Sequence, residues 1–380
     1  NYLMPSRSAS WKTVEFCSGS ELETPTGLIV KGRELFLATE EHGIRVIEYN
    51  VSSTDPTTIV LERNIVWQST KLLSTNSRCD IVLENDILYI ATKDSGIDRF
   101  DLSTLSWLPS WSSSNWLSSN EINGLAVAPG WLYIQGDQQV QPYDTEVLHF
   151  GSDIKMEDLG LTESGTNIIA WPGGLSRSPS DSLALVGDSS GKIGRILLDS
   201  PDGSFSLVSS PSIEDAEVTA IIDDGEAGEF WIASGSIIDI LDNQENLWKD
   251  PIDLSELSSS QLEIGEITSI VQDQGDWVYV GTMSGGAHRL SSVDGSYFGS
   301  IQGLNSLQVT SMAFDSTTKT LVIGHADTGV SLYSTNSNSV TETFSETEGL
   351  DSNSIRDIAT RFGIAYIATC LLYTSPSPRD

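Results

Sequence analysis

The chain has 380 residues and carries 53 acidic against 20 basic side chains, a formal net charge of −33 with a pI near 4.2. Such a surface repels phosphate backbones and anionic headgroups, which disfavours nucleic-acid binding and direct membrane contact. No apolar run approaches the ~18 residues of a membrane span, and a 38% hydrophobic content is ordinary for a β protein long enough to bury a core.

In chain order, Ser10 to Phe16 reads as an outer strand without a repeat of its own. After it, one short apolar strand recurs eight times: Leu35 to Thr39, Leu88 to Thr92, Leu132 to Gly136, Leu183 to Gly187, Phe230 to Ser234, Val278 to Thr282, Leu321 to His325 and Ala365 to Thr369. Their starts lie 53, 44, 51, 47, 48, 43 and 44 residues apart, the period of one four-stranded propeller blade. Slots one and three are mostly aliphatic, slot two is usually aromatic (Tyr89, Tyr133, Trp231, Tyr279) and slot four is small (Ala91, Gly281, Gly324). A strand apolar on both sides is covered on both faces, as when blades stack.

About ten residues upstream of most copies stands a second pattern, apolar, two variable, apolar: Ile122 with Leu125, Val218 with Ile221, Ile267 with Ile270, Val309 with Met312, Ile355 with Ile358. Its small and polar interior residues suit an innermost strand crowded around a wet channel. Downstream, a glycine-bearing turn opens a third strand, as in Gly96-Ile97-Asp98-Arg99-Phe100 and Gly329-Val330-Ser331-Leu332-Tyr333. Fourth strands are weaker: Thr104 to Leu108, Glu146 to Phe150 and Val340 to Phe344. No segment holds a helical period, so helix should be nearly absent.

The joining loops also recur, as Trp116-Leu117-Ser118-Ser119-Asn120-Glu121-Ile122, Gly303-Leu304-Asn305-Ser306 and Gly349-Leu350-Asp351-Ser352-Asn353-Ser354-Ile355. At these residues the chain resembles the two-component regulator propeller repeats, whose pattern is roughly Gly-Leu-Ser-x-Asn-x-Ile followed by an aromatic-rich strand and Gly-Gly-Ile. The resemblance spans residues 27 to 369 and is specific for architecture rather than activity. It implies the sensor ectodomain of a signalling receptor. The expected fold is all-β, a single propeller of eight four-stranded blades, with seven plus a partial blade as the alternative. Repeat copies fall near 27–70, 78–117, 118–160, 165–210, 213–255, 262–302, 304–347 and 350–369, and Ser10 to Phe16 is placed to complete the last.

The ends point to a fragment of a longer protein: the chain opens on Asn1, and Cys370 to Asp380 resembles, residue for residue, a translated sequencing adapter. Setting that tail aside leaves Cys17 and Cys79, and Cys79 reads as a buried thiol in an inner strand. Low cysteine use fits the cytosol as well as a bacterial or archaeal exterior; acidity, Ser/Thr/Asn/Gly richness and the family resemblance together favour an extracellular, periplasmic or cell-surface location.

Catalysis needs converging groups, whereas the histidines, His42, His149, His288 and His325, are scattered and carry no metal-ligand spacing. His42 and His325 fall near the turn between second and third strands, on different blades, and read as hairpin histidines. The same turns hold Glu40, Glu41, Asp94, Asp137, Asp188 and Asp327. With Asn120, Asn305 and Asn353 of the joining loops, they line the face where a propeller receives ligands. They would suit sugar hydroxyls or Ca²⁺, yet Asp and Asn favour tight turns on their own. Trp116 replaces the Gly303 and Gly349 of other copies and is the aromatic residue best placed for an exposed contact, although core packing is the favoured reading of it; Trp107 is expected to pack in the outer strand. No sialidase, WD or kelch signature is present. Two readings follow: a non-catalytic module that binds a polysaccharide, peptide or protein partner without a cofactor, or a polysaccharide lyase or hydrolase with its site at the channel mouth.

Overall fold

The computed structural model describes residues 2–3, 25–31, 34–39, 43–51, 59–67, 80–92, 95–104, 106–128, 130–161, 165–171, 183–197, 205–206, 216–223, 229–242, 247–257, 264–273, 275–350, 352–361 and 363–369. Its strands form eight antiparallel sheets, seven of which follow chain order from the first strand outward. Blade 1 comprises Pro25–Lys31, Glu34–Thr39, Gly43–Val51 and Ile59–Trp67, and blade 2 comprises Ile81–Glu84, Ile87–Thr92, Gly96–Asp101 and Ser106–Trp111. Blade 3 runs Ile122–Ala128, Trp131–Gly136, Gln139–Asp144 and His149–Phe150, and blade 4 runs Gly165–Trp171, Leu183–Asp188, Ile193–Leu197 and Phe205–Ser206. Blade 5 holds Val218–Asp223, Glu229–Ser234, Ile237–Asp242 and Leu247–Trp248; blade 6 holds Ile267–Gln272, Trp277–Thr282, Gly286–Ser291 and Tyr297–Ser300. Blade 7 consists of Val309–Asp315, Thr320–His325, Val330–Ser334 and Ser339–Phe344, and blade 8 of Ile355–Arg361 and Ile364–Thr369. Helix among the described residues is confined to single turns such as Leu254–Leu257.

The ring closes. Each first strand packs on the next around the axis, and Pro25–Lys31 lies against both Ile81–Glu84 of blade 2 and Ile355–Arg361 of blade 8. This is an eight-bladed propeller. Blade 8 receives its third strand from the other end of the chain, where Tyr2 and Leu3 pair with Tyr366 and Ala365. The anticipated closing strand at Ser10 to Phe16 lies outside the described residues, as does Cys79.

Blade stacking explains the repeat slot by slot. Slot four of the second strand is small because the first residue of the next blade's inner strand rests on it. A Cβ on Gly281 would fall 2.6 Å from Val309 Cγ1, and one on Gly324 would fall 2.6 Å from Ile355 Cγ2. The aromatic slot supplies the largest buried side chains, Trp231, Tyr89 and Tyr279. Third-strand arginines cross that slot: Arg99 lies 4.1 Å over Trp111 and donates to Pro109 O, and Arg289 packs over Trp277 and Phe298 while donating to Asn338 of blade 7.

Inner strands share a one-residue register slip just after they begin, at Ile122/Gly124, Val218/Ala220, Ile267/Ser269, Val309/Ser311 and Ile355/Asp357. The extra residue leaves the ladder and turns its side chain to the neighbouring blade. Thus Asn123 Nδ2 donates to Gly165 O at 2.9 Å, Thr219 Oγ1 to Ile267 O at 2.7 Å and Thr268 Oγ1 to Val309 O at 2.9 Å. These bonds stitch the hub blade to blade.

Candidate functional site

The joining loops and the hairpins between second and third strands form one face of the disc. They are tied together by Gly96 N–H donating to Asn120 O, Gly286 N–H to Leu307 O and Gly329 N–H to Asn353 O. The hairpin glycines have positive φ, and a Cβ on Gly96 or Gly329 would collide with the carbonyl of Trp111 or Phe344.

Three of the polar residues expected on this face, Asp188, Asn120 and Asn353, are occupied in building it. Asp188 is fully buried, and its Oδ1 accepts from Ser190 N–H, the Ser190 hydroxyl and Lys192 N–H at 2.8–2.9 Å. It occupies the strand-end slot where Thr92 and Thr282 donate to Gly96 O and Gly286 O. Asn120 Oδ1 accepts from Ser113 N–H and Asn353 Oδ1 from Glu346 N–H, both at 2.7 Å. Ser119, Ser306 and Ser352 each cap the amide two residues on, and Leu117 and Leu350 are buried. The loop motif is therefore a folding device, in which leucine anchors, serine turns and asparagine clasps. Asp137 is half-buried and Asp327 exposed, on blades 3 and 7. Glu40, Glu41 and Asp94 lie outside the described residues.

His325, expected at a hairpin surface, is sealed instead. Its Nε2 lies 2.8 Å from the Ser331 hydroxyl, and both residues are fully buried. The pair has a nucleophile and a base in contact and no route for a substrate. Burial lowers His325 to about 4, so the imidazole is neutral at ordinary pH. His288 is also buried, against the Tyr297 hydroxyl at 3.2 Å, while His149 is exposed and His42 lies outside the described residues. Among the described residues no group of three or more His, Cys, Asp or Glu is placed to hold a metal ion.

Two carboxylates near the axis escaped the sequence reading. Asp80 accepts from Ile81 N–H at 2.9 Å and from Leu125 N–H of blade 3 at 2.7 Å, while Asp357 accepts from Ile358 N–H and from the Ser311 hydroxyl of blade 7. Desolvation raises both, and the charge of Asp357 adds to the rise at Asp80. The available signal was positional: Asp80 and Asp357 stand where other inner strands have Gly124, Ala220, Ser269 or Ser311.

An aromatic cluster fills the seam between blades 2 and 3 and reaches the surface at Trp116. Trp111 is buried edge-on against Tyr143 and Phe150 at 4.6 and 4.8 Å. Trp116 stacks on Phe150 at 6.2 Å with planes 12° apart, yet remains 60% exposed. Its amide donates to Ser112 O and Asn115 Oδ1, and its carbonyl accepts from Gln141 Nε2. Trp107 packs edge-on against Phe100 in the outer strand.

No protein-family profile and no curated relative matches this sequence. Among solved structures, the computationally designed Ika8 protein is similar with a TM-score of 0.65 and 15% identity, covering 91% of this chain and 93% of its own. The β-propeller domain of Myceliophteria thermophila Cps50 (Swd1) aligns with a TM-score of 0.52 and 11% identity over 80% of this chain and all of that domain. At these identities the likeness speaks for the propeller fold alone.

Proposed function

We propose that this propeller is a non-catalytic recognition or scaffold module that offers its joining-loop face to a polysaccharide, peptide or protein partner. The two-component regulator resemblance of its loops supports the finer reading of a sensor ectodomain, placed outside the cell, in the periplasm or at the cell surface. The observation that carries the binding reading is the Trp116 indole, stacked on Phe150 and still 60% exposed at the joining-loop face. Asp188, Asn120 and Asn353 hold turns, and the one serine–histidine contact described is closed to solvent. A propeller enzyme needs reactive groups that converge on an open site; among the described residues, Asp80 and Asp357 are the carboxylates near the axis on which a lyase or hydrolase reading would draw.

The test is paired. Polysaccharides incubated with stoichiometric protein should yield no new reducing ends or unsaturated products, while glycan and peptide arrays probed with the same protein should return saturable binding. Turnover that is lost in Asp80→Asn or Asp357→Asn would replace the scaffold reading with the enzymatic one.

A further inference from the structure

The geometry points to Trp116 and Asp153 as a docking site for an arginine or lysine side chain of a basic protein partner, an inference that rests on the binding-module reading and names the partner's chemistry. Trp116 is a fixed platform, not a loose side chain. Phe150 stacks offset against one ring face, and hydrogen bonds from the Trp116 N–H to Ser112 O and Asn115 Oδ1, and from Gln141 Nε2 to the Trp116 carbonyl, hold its backbone. An indole held this way and still 60% exposed leaves a flat π surface to solvent.

A carboxylate is tied to the same loop through Ser118. Gln141 Oε1 accepts from Ser118 N–H while Gln141 Nε2 donates to Trp116 O, and the Ser118 hydroxyl in turn donates to Asp153 Oδ2 at 2.5 Å. Asp153 is exposed. An aromatic face with an oxygen acceptor beside it is what a guanidinium takes: the ring attracts the cation and the acceptor receives its N–H groups. The molecule already uses that arrangement one layer deeper, where Arg99 lies over Trp111 with its N–H groups on Pro109 O. Charge selects the same partner, because a −33 surface draws cations and repels anionic chains. A neutral glycan would stack on the indole without exploiting that field.

The probe is a fluorescein-labelled peptide of five Arg-Gly-Gly repeats, titrated by anisotropy in about 0.15 M salt, where the Debye length is about 8 Å and the diffuse field is screened. Trp116→Ala keeps the net charge and should weaken binding about tenfold. Asp153→Asn should weaken it severalfold, and Asp294→Asn, the same charge change at an exposed hairpin of the opposite face, should not. Unchanged binding by Trp116→Ala, with both proteins melting alike, overturns the site. Trp116-dependent binding on a glycan array without peptide binding overturns the cationic partner and leaves the binding-module reading standing. Silence toward both probes removes that reading as well.

Discussion

Replacing Asp239 with asparagine should stabilise this protein at pH 8 and do almost nothing at pH 4. Asp239 sits in the third strand of blade 5, opposite Ile232 and on the same face as Leu241. Those two belong to a cluster with Leu185 and Ile193 of blade 4. Asp239 is fully buried, neither carboxylate oxygen has a hydrogen-bond partner, and desolvation raises it from 3.8 to about 7. The folded state therefore keeps a proton that the unfolded chain has released, so stability falls as pH rises from about 4 to about 7 and levels off above. A rise of roughly three units corresponds to roughly 4 kcal/mol on the alkaline side. Asparagine has similar shape and no charge to desolvate, so the variant gains that amount at pH 8. Urea unfolding followed by tryptophan fluorescence at pH 4, 6 and 8 measures it. An advantage that does not grow with pH, or a variant less stable than the parent at pH 8, refutes the reasoning.

His325 should act in the opposite sense. Its folded value of about 4 against 6.5 means that the unfolded chain binds the proton first, so stability is lost as pH falls through that window, by roughly 3 kcal/mol at the acid end. His325→Gln should remove this contribution and leave the fall with rising pH that Asp239 causes unopposed, so the variant's slope between pH 4 and 6.5 is steeper than the parent's in the same unfolding series; an unchanged slope counts against it. Because the two groups oppose each other between pH 4 and 6.5, the parent's profile should be shallower there than that of either variant. Gly324→Val should cost about 1–3 kcal/mol by forcing Ile355 and Ile358 aside, seen as a lower denaturation midpoint, and a neutral result would deny the close stacking of blades 7 and 8. Trp111→Ala should cost about 3–5 kcal/mol whereas Trp116→Ala should stay within about 0.5 kcal/mol, since one indole is buried and the other 60% exposed; equal losses would mean that Trp116 is a packing residue.

The face and its chemistry were much less legible in the sequence than the fold. Asp188 and Asn353 look identical, as letters, whether they hold a ligand or a turn; only the three donors on Asp188 Oδ1 and the Glu346 amide on Asn353 Oδ1 tell the two apart. His325 reads as a turn residue because it ends a strand, and its burial comes from the ring closing around it. Asp80 could have been noticed as an acid in a slot of small residues, but the amide it accepts from, Leu125 N–H, is 45 positions away on the next blade.

The sequence by itself determined the blade. A strand apolar on both faces is a local demand, and eight repetitions of it, with a small fourth slot, a glycine at positive φ or a leucine-anchored loop in several copies, leave one economical way to bury both faces of every sheet. Tertiary structure alone decided closure of blade 8 by Tyr2 and Leu3, the burial of Asp239 and His325, and the meeting of Trp116, Phe150 and Asp153 at one seam. Those outcomes depend on contacts between blades, and the free energy of such a contact is set by what the neighbouring blade presents, which no single repeat encodes.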